Sequence, residues 1–517
     1  MSTERLVENY RKEERIVNIA SCLDRNKLFF PEKEALIFKD KTWSYLKFYK
    51  EVNKIANGLK KLGICENDKV ALFMPNIPEF ILAFWGILKT GAVAVSLSGF
   101  AKKADVKYLL NDSESKVLIV EKSLLNEVPD RKDIPDLQTI ITVNSSGGDK
   151  EFYSFFNEQS SDFETVYCDR DDAATIIYTS GTTGVPKGVV LTHGNLVAHA
   201  FSVNHATKMD INDRLICFLP LYHSFAQNFI MSASFNIGST LILHEKFEKE
   251  EVLNSIKKNK VTRFFGVPPI YILLLNEKDT EKYFDSVNYT FSAASSMPQQ
   301  VAENWEKRFN LKIYEGYGLT ETSPFASYNH EFKHKTGSIG TPVENVEMGI
   351  IDENNNFLPN DEIGEIVIKG PNVMKEYYRK PDATEEAIFN GWLKTGDIGY
   401  MDEEGYFFIV DRKKDMINSA GLKVWPREVE EVLYKLEEVS ECAVIPSPDS
   451  FYGEVVKACI VLKPGKTLTE DEITEYCKKN LAKYKVPKIV EFLKELPKNP
   501  TGKILKRILK EREFKGS

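Results

Sequence analysis

The sequence predicts an α/β protein with a large N-terminal domain of parallel α/β subdomains, a small β subdomain and a small α+β C-terminal domain. Short apolar runs alternate with helical patterns in the first part of the chain, which is typical of parallel sheets. After about residue 335, short β runs stand between Gly- and Asp-containing turns. A length of 517 residues exceeds what one hydrophobic core usually holds, so two or three domains are expected.

The N-terminal part begins with an amphipathic helix over residues 45–63. Its apolar stripe steps by three and four residues, and Gly63 follows it; the stripe consists of Phe48, Val52, Ile55, Leu59 and Leu62. Five short apolar runs then predict strands at 70–75, 92–97, 117–120, 139–143 and 174–179. These runs lack a clean polar–apolar alternation, as buried parallel strands do.

The second half divides into two predicted units. GEIVIKG and GYFFIVD indicate a mostly antiparallel β subdomain over about 335–411. From about residue 426 helix and strand patterns mix again. We therefore expect an N-terminal domain over 1–411 and a C-terminal domain over 412–517, with the boundary in the segment DRKKD.

Composition excludes several classes of protein. The net charge of −8 disfavours nucleic acid as a partner, and the charged start of the chain is not a secretory signal. The longest apolar run, Phe80–Leu88, is too short to cross a bilayer. Seven cysteines without a CxxC pair favour neither disulfides nor zinc, so a cytoplasmic protein is expected.

Charge is distributed unevenly between the two predicted domains. Residues 412–517 contain 22 Lys and Arg against 17 Asp and Glu, a balance of +5 in a chain whose total is −8. A basic domain of this kind would suit closure over an anionic ligand. A chance difference between two solvated surfaces explains the numbers equally well.

The segment YTSGTTGVPKG, residues 178–188, has the chemistry of a phosphate-binding loop. Glycines allow close approach of the backbone, hydroxyls and N–H groups bind anions, and Lys187 adds a positive charge. The spacing is not that of a Walker loop, because Pro186 stands where the second glycine should be. The candidate nucleotide-binding residues here are Thr179, Ser180, Gly181, Thr182, Thr183, Gly184 and Lys187. An ordinary turn between a strand and a helix is the alternative.

Together with the following VVLTHGN, this segment resembles the phosphate loop of the adenylate-forming superfamily. That superfamily includes acyl-CoA synthetases, adenylation domains of peptide synthetases and firefly luciferase. The resemblance extends over roughly residues 15–510, with further motifs in the family's order. It implies ATP, Mg²⁺ and CoA as the small molecules used, together with a carboxylic acid that is activated as acyl-AMP.

The segment YEGYGLTETS, residues 314–323, supplies the second motif. Gly316 and Gly318 leave room for the Tyr317 ring to lie against a flat ligand, and Glu321 offers an oxygen suited to Mg²⁺. By resemblance, Tyr317 stacks on adenine and Thr320 contacts phosphate. Glu321 would hold Mg²⁺ with a hydroxyl of Thr179 or Thr183, and Glu315 belongs to the same nucleotide site. A plain turn with a solvated Glu321 is the alternative.

In WLKTGDIGY, Asp397 lies between two glycines, and we expect it on a tight turn. A carboxylate there could accept hydrogen bonds from a ribose diol. The resemblance implies this role and adds Arg412 as a helper. An ordinary Asp-Gly turn residue would give the same local pattern.

Four residues of the C-terminal domain take roles from the resemblance. Lys414 matches the hinge about which this small, mobile domain swings. Gly421 matches a glycine beside the pantetheine channel, and Lys423 could face a CoA phosphate. Lys503, in LPKNPTGKILKR, matches the catalytic lysine that enters the site only for adenylate formation. With Lys187 and Glu321 it forms the predicted catalytic set.

The acyl pocket is predicted from two further segments. His223 in LPLYHSFAQ matches a position at the pocket mouth, although a lone histidine is more often part of a core. Ser292 and Ala293 would form a pocket wall, while Ala294 and Ser295 would contact adenine. Many acyl-CoA synthetases have Ser-Gly-Gly/Ala-Ala-Pro there, and this chain departs from that pattern.

The leading functional hypothesis is a fatty acyl-CoA synthetase for medium or long chains. An aryl-CoA ligase of the coumarate or benzoate type is the runner-up. A stand-alone adenylating enzyme that loads a carrier protein, a non-enzymatic acyl-adenylate sensor and a luciferase-like oxygenase are weaker alternatives. A long-chain substrate would imply transient membrane contact, although no amphipathic anchor is evident. The sequence predicts no oligomeric state.

Overall fold

A computed structural model describes residues 16–180, 185–295, 297–412, 415–449, 451–498 and 504–515. Up to residue 206 the strands are β1 (Ile16–Val17), β2 (Glu34–Phe38), β3 (Lys41–Ser44), β4 (Lys69–Phe73), β5 (Val93–Ser96), β6 (Val117–Glu121), β7 (Thr139–Val143), β8 (Lys150–Glu151), β9 (Cys168–Asp169), β10 (Ala173–Ser180) and β11 (Pro186–Thr192). The helices are α1 (Ser21–Phe29), α2 (Tyr45–Lys61), α3 (Pro78–Lys89), α4 (Lys103–Ser113), α5 (Phe152–Asn157) and α6 (His193–Ala206).

The middle of the chain carries strands and helices that frame the candidate site. Its strands are β12 (Arg214–Cys217), β13 (Thr240–Leu243), β14 (Arg263–Gly266), β15 (Tyr289–Ser292), β16 (Ile313–Tyr317), β17 (Ser327–Tyr328) and β18 (Thr341–Pro342). Its α-helices are α7 (Ala233–Ile237), α8 (Lys249–Lys258), α9 (Pro268–Asn276) and α10 (Gln299–Phe309). A π-helix occupies Phe225–Ser232.

The remaining elements belong to two small sheets, apart from β21, which pairs with β11 at the edge of a large sheet. The strands are β19 (Glu347–Ile351), β20 (Gly364–Lys369), β21 (Glu376–Tyr377), β22 (Ile388–Phe389), β23 (Trp392–Met401), β24 (Phe407–Arg412), β25 (Ile417–Ser419), β26 (Leu422–Val424), β27 (Val439–Asp449), β28 (Gly453–Leu462) and β29 (Ile489–Phe492). The helices are α11 (Pro381–Ala387), α12 (Pro426–Leu433), α13 (Glu470–Asn480) and α14 (Lys506–Lys515).

Two large, mainly parallel sheets form the N-terminal part, as the apolar runs predict. One has the order β21-β11-β10-β5-β4-β6-β7-β8, and the other β18-β17-β16-β15-β14-β12-β13-β2-β3. Antiparallel strands lie only toward the sheet edges in this described part, for example the β10–β11 hairpin and the β2–β3 pair. The two sheets share one core, in which α3 is buried along its whole length.

The predicted helix over 45–63 is α2, which begins after the N-cap Ser44 and ends at Lys61. The Ser44 hydroxyl accepts a hydrogen bond from the Lys47 amide, so one otherwise unpaired N–H of the first turn is satisfied. Its apolar stripe packs on α3. Lys89, which ends the apolar run of α3, is fully buried and forms an ion pair with Asp24 at 3.3 Å.

The second half contains two further sheets. An antiparallel sheet has the order β19-β20-β23-β22, with β24 added beside β23. The C-terminal sheet has the order β26-β25-β28-β27, with β29 parallel to β28. Helices α12 and α13 cover it, and together they bury a separate apolar core. The α/β class with a small β unit and an α+β C-terminal domain is therefore confirmed.

Candidate active site

The phosphate-loop segment joins two strands, not a strand and a helix. β10 and β11 pair antiparallel, with Thr179 opposite Lys187 and Tyr178 opposite Gly188. Gly188 is required because a Cβ at this position would press on Ile176 and on the Tyr178 ring. The loop between these strands is Gly181, Thr182, Thr183 and Gly184, which lie outside the described residues, and Ser180 is described by its backbone alone.

Lys187 and Glu321, predicted from separate motifs, meet through Tyr377. The Lys187 ammonium lies 5.0 Å from the centre of the Tyr377 ring. The Tyr377 hydroxyl donates a hydrogen bond of 2.8 Å to Glu321 Oε1. Burial, and then the Glu321 carboxylate, raise the pKa of Tyr377 above its usual range, so the hydroxyl stays protonated and remains a donor. This tyrosine was not predicted from the sequence.

Glu321 is held by a short 3-10 helix, Thr320–Thr322, that follows β16. The chain turns sharply here, and a side chain at Gly318 would overlap the carbonyl oxygen of Pro324. The hydroxyls of Ser224 and Thr320 share a buried hydrogen bond of 3.1 Å. The 223–224 segment and the Glu321 turn are thus fixed to each other.

Tyr317, Asp397 and Arg412 form a compact, mostly buried cluster. The Tyr317 hydroxyl donates to Asp397 Oδ2 at 2.7 Å, and Arg412 Nε lies 3.1 Å from Asp397 Oδ1. The Asp397 carboxylate raises the pKa of Arg412. A ligand approaching this cluster meets an aromatic ring, a carboxylate and a guanidinium in fixed positions.

The prediction that Asp397 lies on a tight turn is wrong. Asp397 is in the middle of β23, where it is the register partner of Arg412 on β24. The two neighbouring glycines suggested a turn, but the strand continues past Gly396, which has a φ of +72°. Because the two residues are cross-strand partners, their fifteen-residue separation along the chain becomes direct contact.

The segment after β15 approaches β16 from one side. Ser292 pairs with Glu315 in the parallel ladder, and the Met297 amide donates to Glu315 Oε2 at 3.3 Å. Burial raises the pKa of Glu315 to about 7, and the nearby Arg427 partly offsets this. Ala294 has a φ of +70°, a left-handed conformation that favours glycine. Ala293, Ala294 and Ser295 are half-buried, and Ser292 is buried.

An aromatic wall stands beside Ser292. The rings are mutually in contact, with centroid distances from 4.8 to 6.3 Å, and they belong to Phe225, Phe229, Phe265, Phe291 and Phe325. Gly316 makes room for this wall, since a Cβ there would overlap the Phe291 ring. His223 precedes the wall, and its Nδ1 accepts a hydrogen bond of 3.3 Å from the Phe225 amide.

Comparison with known proteins identifies the family. The model of the AMP-binding enzyme matches residues 23–378, and that of the AMP-binding enzyme C-terminal domain matches residues 428–503. The chain belongs to the AMP-binding enzyme family. It is an adenylate-forming acid–thiol ligase of the acyl-CoA synthetase type.

Individual relatives span nearly the whole chain. A long-chain-fatty-acid–CoA ligase of Bacillus subtilis (strain 168) is 35% identical over 96% of this chain and 94% of its own length. 4-coumarate–CoA ligase 2 of Solanum tuberosum is 34% identical over 92% and 89%. The crystal structure of the anthranilate CoA ligase AuaEII with anthranoyl-AMP superposes with a TM-score of 0.92 at 29% identity, covering 96% and 98%. ATP and CoA are the expected small molecules of such a ligase.

The C-terminal domain of this ligase faces the site through α12. Arg427 on this helix donates to Ile409 O at 2.8 Å, its amide donates to Asp411 Oδ2 at 2.9 Å, and its charge reaches Glu315. Arg427 was not predicted from the sequence, and only its place in the charged helix start PREVEE could have suggested it.

The other C-terminal candidates stay predictions. Gly421 and Lys423 are exposed on the β25–β26 hairpin, and Gly421 has a φ of +85°. Lys414 and Lys503 lie outside the described residues. The chain just after Lys503 is held in place, because Ile504 bridges to Lys498 and the Leu505 amide donates to Pro497 O at 2.7 Å.

The residues present fit a magnesium ion that is bound mainly through phosphates. Within the described part of the chain, no group of three or more His, Cys, Asp or Glu side chains could form a protein-only metal site. Mg²⁺ commonly takes one or two protein oxygens and leaves the rest to phosphate and water. Among the described residues Tyr377 bonds one oxygen of Glu321 and leaves the other for a metal ion, and Thr179 lies on the nearby hairpin.

No helix in the described ranges combines the length and the apolar character that crossing a bilayer would need.

Proposed function

We propose that this ligase activates a medium- or long-chain fatty acid as acyl-AMP and transfers it to CoA, releasing pyrophosphate and then AMP. The observation that carries the proposal is the aromatic wall beside Ser292. Its five phenylalanine rings are at most 4% exposed and form an uncharged, apolar cluster that reaches Gly316 beside Tyr317, and such surroundings would suit the hydrocarbon part of a fatty acid. The relationship to fatty-acid ligases agrees with this choice.

In the first step, a carboxylate oxygen of the acid bonds to the α-phosphorus of ATP. The bond to the bridging oxygen breaks, and pyrophosphate leaves with its electron pair. Such phosphoryl chemistry depends on positioning and on neutralising charge. Lys187 would face the departing phosphates from the hairpin, and Lys503 would bridge the carboxylate and the α-phosphate.

The Tyr317 cluster would hold the nucleoside during this step. Asp397 would accept hydrogen bonds from the two ribose hydroxyls while Arg412 and Tyr317 keep it in place. The face of the Tyr317 ring would lie against adenine, and the half-buried segment at Ala294 and Ser295 would approach its edge. These contacts would fix the α-phosphate relative to the acid.

A bound Mg²⁺ would neutralise phosphate charge, and Glu321 together with the hydroxyl of Thr179 or Thr183 would hold it. Tyr377 keeps the Glu321 carboxylate oriented through its 2.8 Å hydrogen bond.

In the second step, the sulfur of the CoA thiol bonds to the acyl carbonyl carbon and its proton passes to water. The bond between that carbon and the phosphate oxygen breaks, and AMP leaves with the electron pair. A lysine still at the carboxylate would obstruct the thiol. Rotation of residues 412–517 about Lys414 would withdraw Lys503 and bring Gly421 to the thiol path, with Lys423 toward a CoA phosphate.

An aryl acid is the second candidate substrate. A planar aromatic acid would also stack on or meet the edges of the Phe225 and Phe229 rings. The 34% identity to a 4-coumarate ligase over 92% of the chain supports this candidate as well.

Competition among acids separates the two candidates. The protein is incubated with ATP and Mg²⁺ and with octanoate, hexadecanoate and 4-coumarate together, and pyrophosphate release and the acyl-AMP products are followed. We expect the fatty acyl adenylates to dominate, and AMP release to require CoA. Dominance of coumaroyl-AMP would move the assignment to the aryl class, and AMP release without any CoA requirement would contradict a CoA ligase.

A further inference from the structure

Asp411 bonds groups on both sides of the proposed hinge. It lies near the end of β24, three residues before Lys414, and is only 7% exposed. Its Oδ1 accepts a hydrogen bond of 2.7 Å from the Arg412 amide, and its Oδ2 accepts one of 2.9 Å from the Arg427 amide. Arg427 is the second residue of α12, so the second bond joins the small β sheet to the C-terminal domain.

A lysine of α14 acts on the same carboxylate. Lys506 begins α14, and its Nζ lies 2.8 Å from Glu430 Oε1 on α12, with side chains 19% and 16% exposed. Burial raises the pKa of Asp411, and the charge of Lys506 and the Arg427 amide partly offset this. Two helices of the C-terminal domain, α12 and α14, therefore both stabilise the charge of Asp411.

Further contacts hold α12 against the N-terminal part of the chain. The Arg427 side chain donates to Ile409 O at 2.8 Å. Burial raises the pKa of Glu315 on β16, and the charge of Arg427 partly offsets this. Burial also raises the pKa of Glu431, while Arg427 and the backbone N–H of Gln299 offset part of the effect. Gln299 begins α10, and a carboxylate is favourable at the N-terminal end of a helix.

These contacts bring the start of α14 close to the nucleotide cluster. Asp411 directly precedes Arg412, whose Nε lies 3.1 Å from Asp397 Oδ1. Lys506 follows Lys503 by three residues, which is at most about 11 Å of chain. The arrangement of the C-terminal domain in this structure therefore suits adenylate formation, for which Lys503 is the proposed catalytic lysine.

Rotation about Lys414 would break the bonds that cross the hinge and keep those on either side of it. Asp411 and Ile409 would stay with β24. Arg427 and Lys506 would move away together, because an ion pair joins α12 to α14. The bonds to Asp411 would therefore stabilise one arrangement only, and such a difference is what shifts the balance between two states.

We propose that Asp411 is a positioning residue that holds the C-terminal domain in the arrangement for adenylate formation, through the Arg427 amide and the Lys506 ammonium group. The inference rests on the proposed two-step function and names the residues that stabilise its first arrangement. Asp411 is then needed for pyrophosphate release and is not needed for transfer of the acyl group to CoA.

The test follows the two half-reactions of Asp411→Asn separately, with the acid that the wild-type protein prefers in the competition above. Pyrophosphate release reports the first, and acyl-CoA formation from supplied acyl-AMP and CoA reports the second. Asparagine keeps the shape but has no charge and one acceptor oxygen, so the first arrangement should become a minority state. We expect adenylate formation to fall about tenfold, the effect of one good hydrogen bond to a charged group, while transfer stays at the wild-type rate or rises.

Asp402→Asn is the matched control. Its carboxylate, in the hairpin between β23 and β24, accepts hydrogen bonds of 3.0 and 2.9 Å from the amides of Glu404 and Tyr406 and pairs with Lys335. These partners are of the same kinds as those of Asp411, but all of them precede the hinge. The ratio of the two half-reaction rates should therefore stay at the wild-type value.

Arg427→Met is a second variant, because it removes the side-chain bond to Ile409 and keeps the amide. It should also slow adenylate formation more than transfer. Equal losses in both half-reactions of Asp411→Asn, or an unchanged first half-reaction, would overturn this inference and leave the proposed function intact. If Asp411→Asn does not fold, the same outcomes in Arg427→Met decide. If the wild-type protein releases no pyrophosphate with any acid, the proposed function fails and this inference with it.

Discussion

At the residue scale, the candidate site depends on side chains that hold one another before any ligand arrives. Tyr317 bonds Asp397, Arg412 pairs with the same carboxylate, and Tyr377 fixes Glu321. Preorganised groups of this kind lose little entropy when the nucleotide binds. Single hydrogen bonds in these clusters should therefore affect ATP use more than they affect stability.

Tyr317→Phe keeps the ring and removes the 2.7 Å hydrogen bond to Asp397. We expect the KM for ATP to rise about fivefold, since a bond of this type contributes about 1 kcal/mol. The matched control is Tyr378→Phe, which removes a 2.8 Å bond to Glu114 outside the site. The KM for ATP of both variants is measured from the steady-state rate of pyrophosphate release. Equal KM values for the two variants would argue against the proposal that Tyr317 holds Asp397 in position for ATP.

Glu315 should make stability depend on pH. In the folded protein the pKa of Glu315 is about 7, whereas the usual pKa of a glutamate is 4.5. Between pH 4.5 and 7 the Glu315 carboxyl is therefore protonated in the folded protein and mostly ionised in the unfolded chain. Stability contributed by the protonated form is then lost as the pH rises through that window. The free energy of unfolding of Glu315→Gln, relative to wild type, should therefore increase from pH 4.5 to 7 by up to about 3 kcal/mol and then level off.

Urea unfolding at a series of pH values from 5 to 8 tests this difference. Glu303→Gln, at an exposed position on α10, is the control and should show a difference that does not change with pH. A flat profile for Glu315→Gln would contradict a Glu315 carboxyl that keeps its proton up to about pH 7 in the folded protein.

At the scale of single elements, the turn after β16 sets the position of Glu321. Gly318→Ala would force a methyl group against the carbonyl of Pro324, so the turn must shift. We expect a loss of about 1–3 kcal/mol in stability and at least a tenfold loss in pyrophosphate release. Gly99→Ala meets no neighbouring atom and should change stability by less than about 0.5 kcal/mol. Thermal unfolding and the rate of pyrophosphate release are measured for both variants. Full activity of Gly318→Ala would contradict the proposal that this turn positions Glu321.

Much of the fold could be predicted from the spacing of apolar residues. Helix α2 and strands β4 to β7 each contain the apolar residues that they bury, so the local sequence is enough to locate them. The site was less predictable. Tyr317, Glu321, Asp397 and Arg412 could be proposed from motifs, but their pairing depends on strand register.

Three features of the site arise only from tertiary contact. Tyr377 reaches Glu321 because β21 pairs with β11, and Arg427 reaches Asp411 because α12 packs beside β24. Asp397 lies within a strand although its flanking glycines favour a turn. The π-helix has no local signal either, since FAQNFIMS reads as an ordinary buried helix.

At the scale of the whole molecule, the proposed two-step reaction would require two arrangements of the C-terminal domain. The exposed hairpin with Gly421 and Lys423 is not part of the nucleotide cluster in this structure, whereas α12 lies beside Glu315. One arrangement would be used for adenylate formation, and the other for transfer of the acyl group to the CoA thiol.

Lys414→Pro should mainly slow the second step, because proline fixes φ at the proposed hinge. We expect pyrophosphate release in a single turnover to stay close to wild type, while thioester formation falls at least tenfold. Rapid-quench analysis of acyl-AMP and acyl-CoA separates the steps. A second step as fast as wild type in Lys414→Pro would refute the hinge.

The proposed function assigns one lysine of the C-terminal domain to only the first of two reactions at a shared site. The most direct measurement follows both half-reactions of Lys503→Ala separately, adenylate formation from acid and ATP, and thioester formation from supplied acyl-AMP and CoA. We expect adenylate formation to fall by about a hundredfold or more, while transfer from acyl-AMP proceeds at close to the wild-type rate. Equal loss of both half-reactions, or no loss in the first, would contradict it.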